Sequence, residues 1–286
     1  MSKASEYAAK FNKVFDFIDS HLDDELTLEM LSQVAHFSKF HFHRQFSEYA
    51  GMSVFKYVQL MRLKRASYRL VFNPLEKVVD IALDARFENP ESFSRAFKST
   101  FGQTPSEFRK RPAWQPWNEH YSFPTRERTH KMEVNVVNFT ETKIASLQHL
   151  GPTALLNDTV SKFIEWRKVS RMSPVKSSHT FGIVHDNPDT TAPEAFRFDI
   201  CGSVSKEIPE NAQGVTNSVI PAGRCAVVRH VGSHDRIAES IYPLYREWLP
   251  NSGESLRDFP LYFHYLNLMP ETPEHELQTD IYLPLL

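Results

Sequence analysis

VVDIALDARFENPESFSRAFKSTFGQTPSEFR, residues 78–109, holds two short helical patterns back to back. Val78, Ile81, Ala82 and Ala85 follow the i, i+3, i+4, i+7 spacing of one apolar helix stripe. Residues 86–89 break the period, and Pro90 suits the first turn of a second helix, where its missing N–H costs nothing. On that helix Phe93, Phe97 and Phe101 recur every four residues and share one face. Arg95 and Ser99 project from the other face, flanked by Glu91, Ser92 and Lys98. Gly102 then stops the helix, because glycine tolerates the left-handed conformation of a helix end. A short helix, a tight turn and a second helix with a wet, arginine-bearing face make a helix-turn-helix, whose second helix enters the DNA major groove.

Upstream, Tyr7, Phe11, Val14, Phe15 and Ile18 give an amphipathic helix, and Thr27 is placed to cap a helix carrying Leu28, Leu31 and Val34. Phe42, Phe46 and Tyr49 then form a buried stripe with Arg44 facing away. The pattern Phe42-x-Arg44-x-Phe46-x-x-x-x-Gly51-x-Ser53 returns as Phe93-x-Arg95-x-Phe97-x-x-x-x-Gly102-x-Thr104. Agreement of spacing and residue type over so many positions is an internal duplication of the helix-turn-helix unit. Between the copies, residues 54–72 read as one long helix with Tyr57, Val58, Met61 and Leu70 inside. Its cations Arg62, Lys64, Arg65 and Arg69 are expected mostly outside, placed for DNA phosphates.

With these motifs, residues 8–111 resemble the DNA-binding domain of the AraC/XylS family of transcriptional regulators. The signature I-A-x-x-x-x-F…F-x-R-x-F-K-x-x-F-G-x-T-P-x-x-F-R is present from Ile81 to Arg109. The resemblance implies two recognition helices in successive major grooves, about 34 Å apart. Carried over by position, it sets Phe40, His43 and Arg44 against bases in the first groove, and Glu91, Ser92 and Arg95 in the second. His43 also borders the buried stripe, so core packing is an equal reading. Glu91 either accepts from a cytosine amino group or supports Arg95. Lys98 and Arg109 are better read as phosphate contacts. One departure is Arg86, where the family usually has glycine in the turn. A positive φ there would cost arginine something of order 1 kcal/mol, and a local distortion is expected.

The 286-residue chain is long enough for two domains, and its 41% apolar and 24% charged residues suit globular folding rather than wholesale disorder. Residues 1–131 carry 20 Lys+Arg against 16 Asp+Glu, and residues 132–286 carry 13 against 19. A basic front joined to an acidic back fits a nucleic-acid module linked to something that avoids phosphate. No run of about 18 apolar residues occurs, and the N-terminus lacks a signal peptide's apolar centre, so a cytoplasmic protein with no membrane partner is expected. Cys201 and Cys225 fit a reducing compartment, and neither the two cysteines nor the thirteen histidines form a metal-binding pattern. No cofactor is expected.

From Arg111 the chain turns to Arg-Pro-Ala-Trp-Gln-Pro-Trp, and residues 112–130 read as a connector with Trp114 and Trp117 pinned on a domain surface. Beyond it lies a second duplication, at an offset of 81. Residues 134–147 read as a strand leading to His149 and a helix ending near Trp166, and residues 225–228 lead likewise to His230 and a helix reaching Trp248. Each copy then has an extended run, residues 181–186 and 262–268, and closes with a strand at 198–201 or 279–282. Two such units put their strands side by side and leave a cleft between halves. Because Asp199, Asp280, His149 and His230 recur in both copies, structural roles are favoured for them.

The stretch Pro221-Ala-Gly-Arg-Cys-Ala-Val-Val-Arg-His-Val-Gly, with Trp248-Leu-Pro-x-Ser-Gly and the closing Thr-Asp-Ile-Tyr-Leu-Pro-Leu, resembles a GyrI-like effector-binding domain over residues 131–286. That resemblance implies a pocket for bulky aromatic or cationic molecules, with a glutamate meeting the positive charge. Phe263 stands at that position here, which leaves an aromatic lining of Trp166, Phe263, Tyr265 and Tyr282 for a flat apolar ligand. The other reading is that these aromatics fill a closed core. His264 should point to the face opposite Phe263.

The expected fold class is thus two domains: an all-α double helix-turn-helix (a homeodomain-like pair) at 1–111, a linker at 112–130, and an α+β domain of duplicated β-α-β-β units at 131–286. The expected protein is a non-enzymatic transcriptional regulator, DNA domain first as in Rob-type regulators. Its partners are double-stranded DNA, a small-molecule effector and RNA polymerase. The alternatives make the GyrI-like half a hydrolase, which needs a carboxylate base in the cleft, or a protein-interaction module tethered to DNA.

Overall fold

A computed structural model of the chain describes residues 3–114 and 132–286, with side chains from residue 7 onward. The chain divides into two compact units, Met1–His130 with Met269–His275, and Lys131–Leu268 with Glu276–Leu286.

The first unit is helical: α1 (Lys3–Ser20), α2 (Leu28–Val34), α3 (Lys39–Ala50), α4 (Val54–Phe72), α5 (Val78–Asp84), α6 (Pro90–Phe101) and α7 (Pro105–Lys110). The helix ends follow local chemistry. Thr27 Oγ1 accepts from the Met30 amide and Asn89 Oδ1 from the Ser92 amide, supplying partners to donors that the first turn leaves orphaned. Gly51 and Gly102 close α3 and α6 in the left-handed conformation at φ 71° and 72°. The α2–α3 and α5–α6 pairs form the two helix-turn-helix units, α4 joins them, and one aromatic-rich core runs through both.

The turn of the second unit is not distorted at Arg86. Arg86 takes φ 62°, and its counterpart in the first unit, His36, takes φ 54°. The turns are also bonded alike. Arg86 N donates to Leu83 O and Phe87 N to Ala82 O, while His36 N donates to Gln33 O and Phe37 N to Ser32 O. The fold therefore imposes the left-handed conformation, and a β-carbon at that position bears its cost. Arg86→Gly is expected to stabilise the helical unit by about 0.5–1 kcal/mol, seen as a higher urea midpoint. It also removes the repulsion between Arg86 and Arg62. A lower midpoint would show that the arginine side chain contributes more than its backbone costs.

Trp114, in the stretch read as connector, is buried in this helical core, with its ring 5.2 Å from Phe108 and 5.9 Å from Tyr68. The packed unit thus runs at least three residues past 111. Trp117 and the rest of the connector to residue 130 lie outside the described residues.

The second unit is one eight-stranded antiparallel sheet in the order β1-β6-β8-β7-β3-β4-β2-β5. Its strands are β1 (Asn135–Phe139), β2 (Thr142–Leu150), β3 (Thr180–Val184), β4 (Arg197–Ser203), β5 (Thr216–Ile220), β6 (Gly223–Val231), β7 (Leu261–Tyr265) and β8 (Gln278–Pro284). Residues 134–147, expected as a single strand, contain β1, a two-residue break and the start of β2. Each repeat is therefore β-β-α-β-β, and the first strand of each is exchanged. β1 pairs with β6 of the second repeat, and β5 pairs with β2 of the first. Helix α8 (Leu156–Ser170) crosses the sheet in the first repeat. Its counterpart is broken into α9 (Ala238–Pro243), a π-turn (Leu244–Trp248) and α10 (Leu249–Ser252), with Pro243 inside. Proline cannot donate the interior hydrogen bond, which is one reason for the break.

Period-2 alternation splits the sheet into two faces. Ala145, Leu147, Phe198, Ile200, Ala226, Val228, Phe263 and Ile281 face Phe163 and Trp166 of α8 and Leu244 of the π-turn. Ile144, Phe181, Cys201, Cys225 and Tyr262 form a separate core on the other face. The recurring histidines tie strand to helix in the same way: His149 Nδ1 lies 2.9 Å from Thr159 Oγ1, and His230 Nδ1 lies 2.8 Å from Ser240 Oγ. The recurring aspartates each meet a basic side chain, Asp199 that of His185 just past β3 and Asp280 that of Arg229 across β8 and β6.

Candidate nucleic-acid interface and ligand face

On α3, the stripe Phe42, Phe46 and Ala50 is buried, which turns Phe40, His43 and Arg44 outward. Phe40 is 80% exposed, with the Lys39 ammonium 5.5 Å from its ring centre. His43 is exposed, so the packing alternative does not describe it. On α6, burial of Phe93, Phe97 and Phe101 leaves Glu91, Arg95 and Lys98 exposed and Ser92 half-buried, its hydroxyl donating to Asn89 O. The exposed guanidiniums of Arg44 and Arg95 make no hydrogen bond or ion pair with any described residue. They occupy the same place in the two duplicated helices.

The other cations expected at phosphate are committed elsewhere. Arg62 Nε donates to Leu22 O at 2.9 Å and its Nη2 to Asp24 O at 2.7 Å. Arg65 pairs with Asp23, with Nη1 3.0 Å from Oδ2, and Arg69 pairs with Glu76 and Asp84. Lys64 is 2% exposed and ion-paired with Glu274 of the same unit. Arg109 is half-buried and its Nε donates to Leu70 O. The expectation of a phosphate-facing cluster on α4 is corrected: Arg62, Lys64, Arg65 and Arg69, together with Arg109, are bonded to groups of the helical unit itself. Helix α4 is buried on most sides, as a central helix is, so a cationic stripe along it meets neighbouring elements rather than solvent.

In the sheet unit, Trp166, Phe263 and Tyr265 meet on the helix-covered face. Phe263 and Trp166 are buried, and the Phe263 ring lies 6.2 Å from Phe198 and 6.1 Å from Tyr265. Tyr282 does not join them. It lies on the opposite face, stacked on Tyr262 at 4.9 Å with rings 6° from parallel. Register explains this, since Ile281 pairs with Phe263 and shares its face, and the next residue must turn away.

His264 also lies on the far face, stacked on Phe181 and 3.0 Å from His179 Nδ1. Burial, and then the neighbouring His179, hold its imidazole down to about 4. Cys201 is likewise on that face, and burial pushes its thiol up to about 12, so it is an inert core residue.

Sequence reading missed a member of the helix-covered face. Arg167 follows Phe163 and Trp166 at i+4 and i+1, and it is 5% exposed. The i, i+3, i+4 spacing of Phe163, Trp166 and Arg167 was the available signal. Glu239, on the same side of the sheet, is buried and bonded through both carboxylate oxygens to Arg236. Among the described residues, no group of three or more His, Cys, Asp or Glu side chains is placed to hold a metal ion.

Residues 132–286 match the family model described as a GyrI-like small molecule binding domain, and residues 31–111 match one described as a helix-turn-helix domain. The chain is 51% identical over 154 residues to the probable transcriptional regulator YgiV of Escherichia coli strain K12, covering 54% of this chain and 96% of that protein. It is 36% identical over 100 residues to the right origin-binding protein of the same organism, covering 34% of each. Among solved structures, a cryo-EM structure of an EcmrR–DNA complex aligns at a TM-score of 0.45 and 14% identity, covering 90% of this chain and 98% of that one. The chain belongs to the transcriptional regulators that join an AraC-type helix-turn-helix domain to a GyrI-like small-molecule-binding domain.

Proposed function

We propose that this regulator is a one-component switch that reads a two-part operator with α3 and α6 and responds to a small aromatic ligand held on the helix-covered face of its sheet. The observation that carries the DNA half is the contrast among arginines. Arg44 and Arg95 are exposed at duplicated positions and bond to no described residue, while Arg62, Arg65, Arg69 and Arg109 are tied to protein groups. Phe40, His43, Glu91 and Ser92 flank the two arginines as base-facing candidates, and Lys98 is the exposed candidate for phosphate. The domain limits that fit this reading are 1–111, carried on to at least Trp114 by its burial, and 131–286, with the rest of the connector between them.

The ligand acts by differential affinity for two states of the protein, shifting either promoter occupancy or contact with RNA polymerase. Catalysis has no part in this reading, because the buried carboxylate Glu239 is held by Arg236 rather than left to act as a base. No described helix is long and apolar enough to cross a membrane, and a cytoplasmic location goes with the proposed work on DNA.

Selection of DNA from a random pool by the full chain tests the reading. The expected product is one enriched sequence with two half-sites about one helical turn, roughly 10 bp, apart. Recovery of a single half-site would reduce the interface to one recognition helix, and no enrichment would remove sequence-specific binding.

A further inference from the structure

Arg167 is a buried cation with no counter-charge among the described residues. Its Nη1 donates to Thr180 Oγ1 at 2.9 Å, while its Nη2 is shared among Ser173 Oγ at 3.2 Å, His179 O at 3.3 Å and Ser178 Oγ at 3.4 Å. Two hydrogens on Nη2 cannot serve three such acceptors well, and the distances are long for charge-assisted bonds. The Nε atom is buried with no partner at all. Among the described residues no carboxylate is within ion-pair distance, and the Phe163 ring lies 5.3 Å from the guanidinium carbon. Burying a charge in this way costs several kcal/mol unless an opposite charge meets it. Burial also lowers its pKa to about 10, so the guanidinium remains a cation at neutral pH.

The surroundings are arranged around this group. Gly202 lies beneath it, and a β-carbon there would run into the guanidinium and the Ser173 hydroxyl. Thr180 lies opposite Gly202 on the neighbouring strand and opposite Tyr265 on the next, so Gly202, Thr180 and Tyr265 form one row across β4, β3 and β7. Tyr265 leans over Gly182, a second position where a β-carbon would clash. Its half-buried hydroxyl makes no hydrogen bond with a described residue, and burial pushes its phenol up, so it stays a donor. The row thus places an uncompensated cation, three hydroxyls and a phenol beside the aromatic cluster of Phe163, Trp166, Phe198 and Phe263.

We infer that the ligand of this face is an aromatic carboxylate, its acid group meeting Arg167 and the Ser173, Ser178 and Thr180 hydroxyls, and its ring lying against Tyr265 and Phe263. This deepens the ligand half of the proposed function and rests on it. It is independent of the DNA half.

The test is isothermal titration of the full chain with three naphthalene probes of one shape: 2-naphthoate, 2-naphthylmethanol and (2-naphthylmethyl)trimethylammonium. The expected result is that naphthoate binds at least tenfold more tightly than either of the others. In Arg167→Met that preference is lost while the melting temperature holds or rises, because an unpaired buried charge has been removed. Arg167→Lys keeps the charge without the planar fork, and should retain part of the preference. Equal or tighter binding of the neutral or cationic probe overturns the inference and leaves the ligand site standing. Binding of none of the three overturns both the inference and the ligand half, whereas DNA selection reports on the other half separately. A fall in melting temperature with naphthoate binding intact in Arg167→Met would make Arg167 a structural residue only.

Discussion

Phe97→Ala is expected to destabilise the helical unit by about 3–5 kcal/mol, enough to unfold a large fraction of it near physiological temperature. Phe97 is fully buried on α6. Its ring meets Phe93 at 5.6 Å, Phe101 at 4.6 Å and Phe108 at 5.4 Å, and Phe108 in turn packs on Trp114. Truncation removes the edge-to-face partners of two rings and opens a cavity that neighbouring helices can fill only in part. Urea unfolding followed by circular dichroism measures the loss. The matched control is Phe40→Ala, which removes the same side chain from an exposed site and should change stability by no more than about 0.5 kcal/mol. A comparable loss in both would mean that phenylalanine burial does not organise this unit.

The second large effect is on DNA. Arg44→Ala and Arg95→Ala should each cost about 1–3 kcal/mol on the selected operator and relax preference at one base position in its own half-site. The two residues lie on separate helices and share no protein partner, so the double variant should lose roughly 2–6 kcal/mol, a drop of about 30-fold to more than 10⁴-fold in affinity. Binding assays at several salt concentrations separate the roles. Loss of a base contact leaves the salt slope nearly unchanged, whereas Lys98→Ala should lower the slope by about 1 with little change of sequence preference. Equal losses on every sequence would turn the arginines into phosphate contacts. Arg65→Ala is a useful contrast. Its side chain is engaged with Asp23 at the surface, so DNA affinity should hold and stability should change by less than about 1 kcal/mol.

Much of the helical unit was legible in the chain because its signals are local. Phenylalanines every four residues, Thr27 and Asn89 before the first turns, and Gly51 and Gly102 after the last ones each act within a few residues. The 51-residue repeat then fixed which arginines correspond. Where reading failed, the deciding neighbour was distant in sequence. The α4 cations looked like a phosphate-facing stripe, and only the packed fold brings Leu22 O, Asp23 and Asp24 O to Arg62 and Arg65. The left-handed turn at Arg86 likewise became intelligible when His36 was seen in the same conformation.

In the sheet unit, the order of strands and helices was readable in outline, but strand exchange was not. Nothing near β1 states that it pairs with β6 rather than with its own repeat, since pairing depends on how two halves meet. Tyr282 could have been assigned correctly, because alternation puts it opposite Ile281. That step needed the register between β7 and β8. By itself, then, the sequence determined two helix-turn-helix units, their outward arginines, and a duplicated domain whose strands alternate in polarity, because helix and strand periods are properties of consecutive residues. The tertiary structure alone decided which cations are spent inside the protein, which aromatics share a face, and that Arg167 is buried with no opposing charge among the described residues. Those outcomes depend on what the rest of the fold brings within a few ångströms.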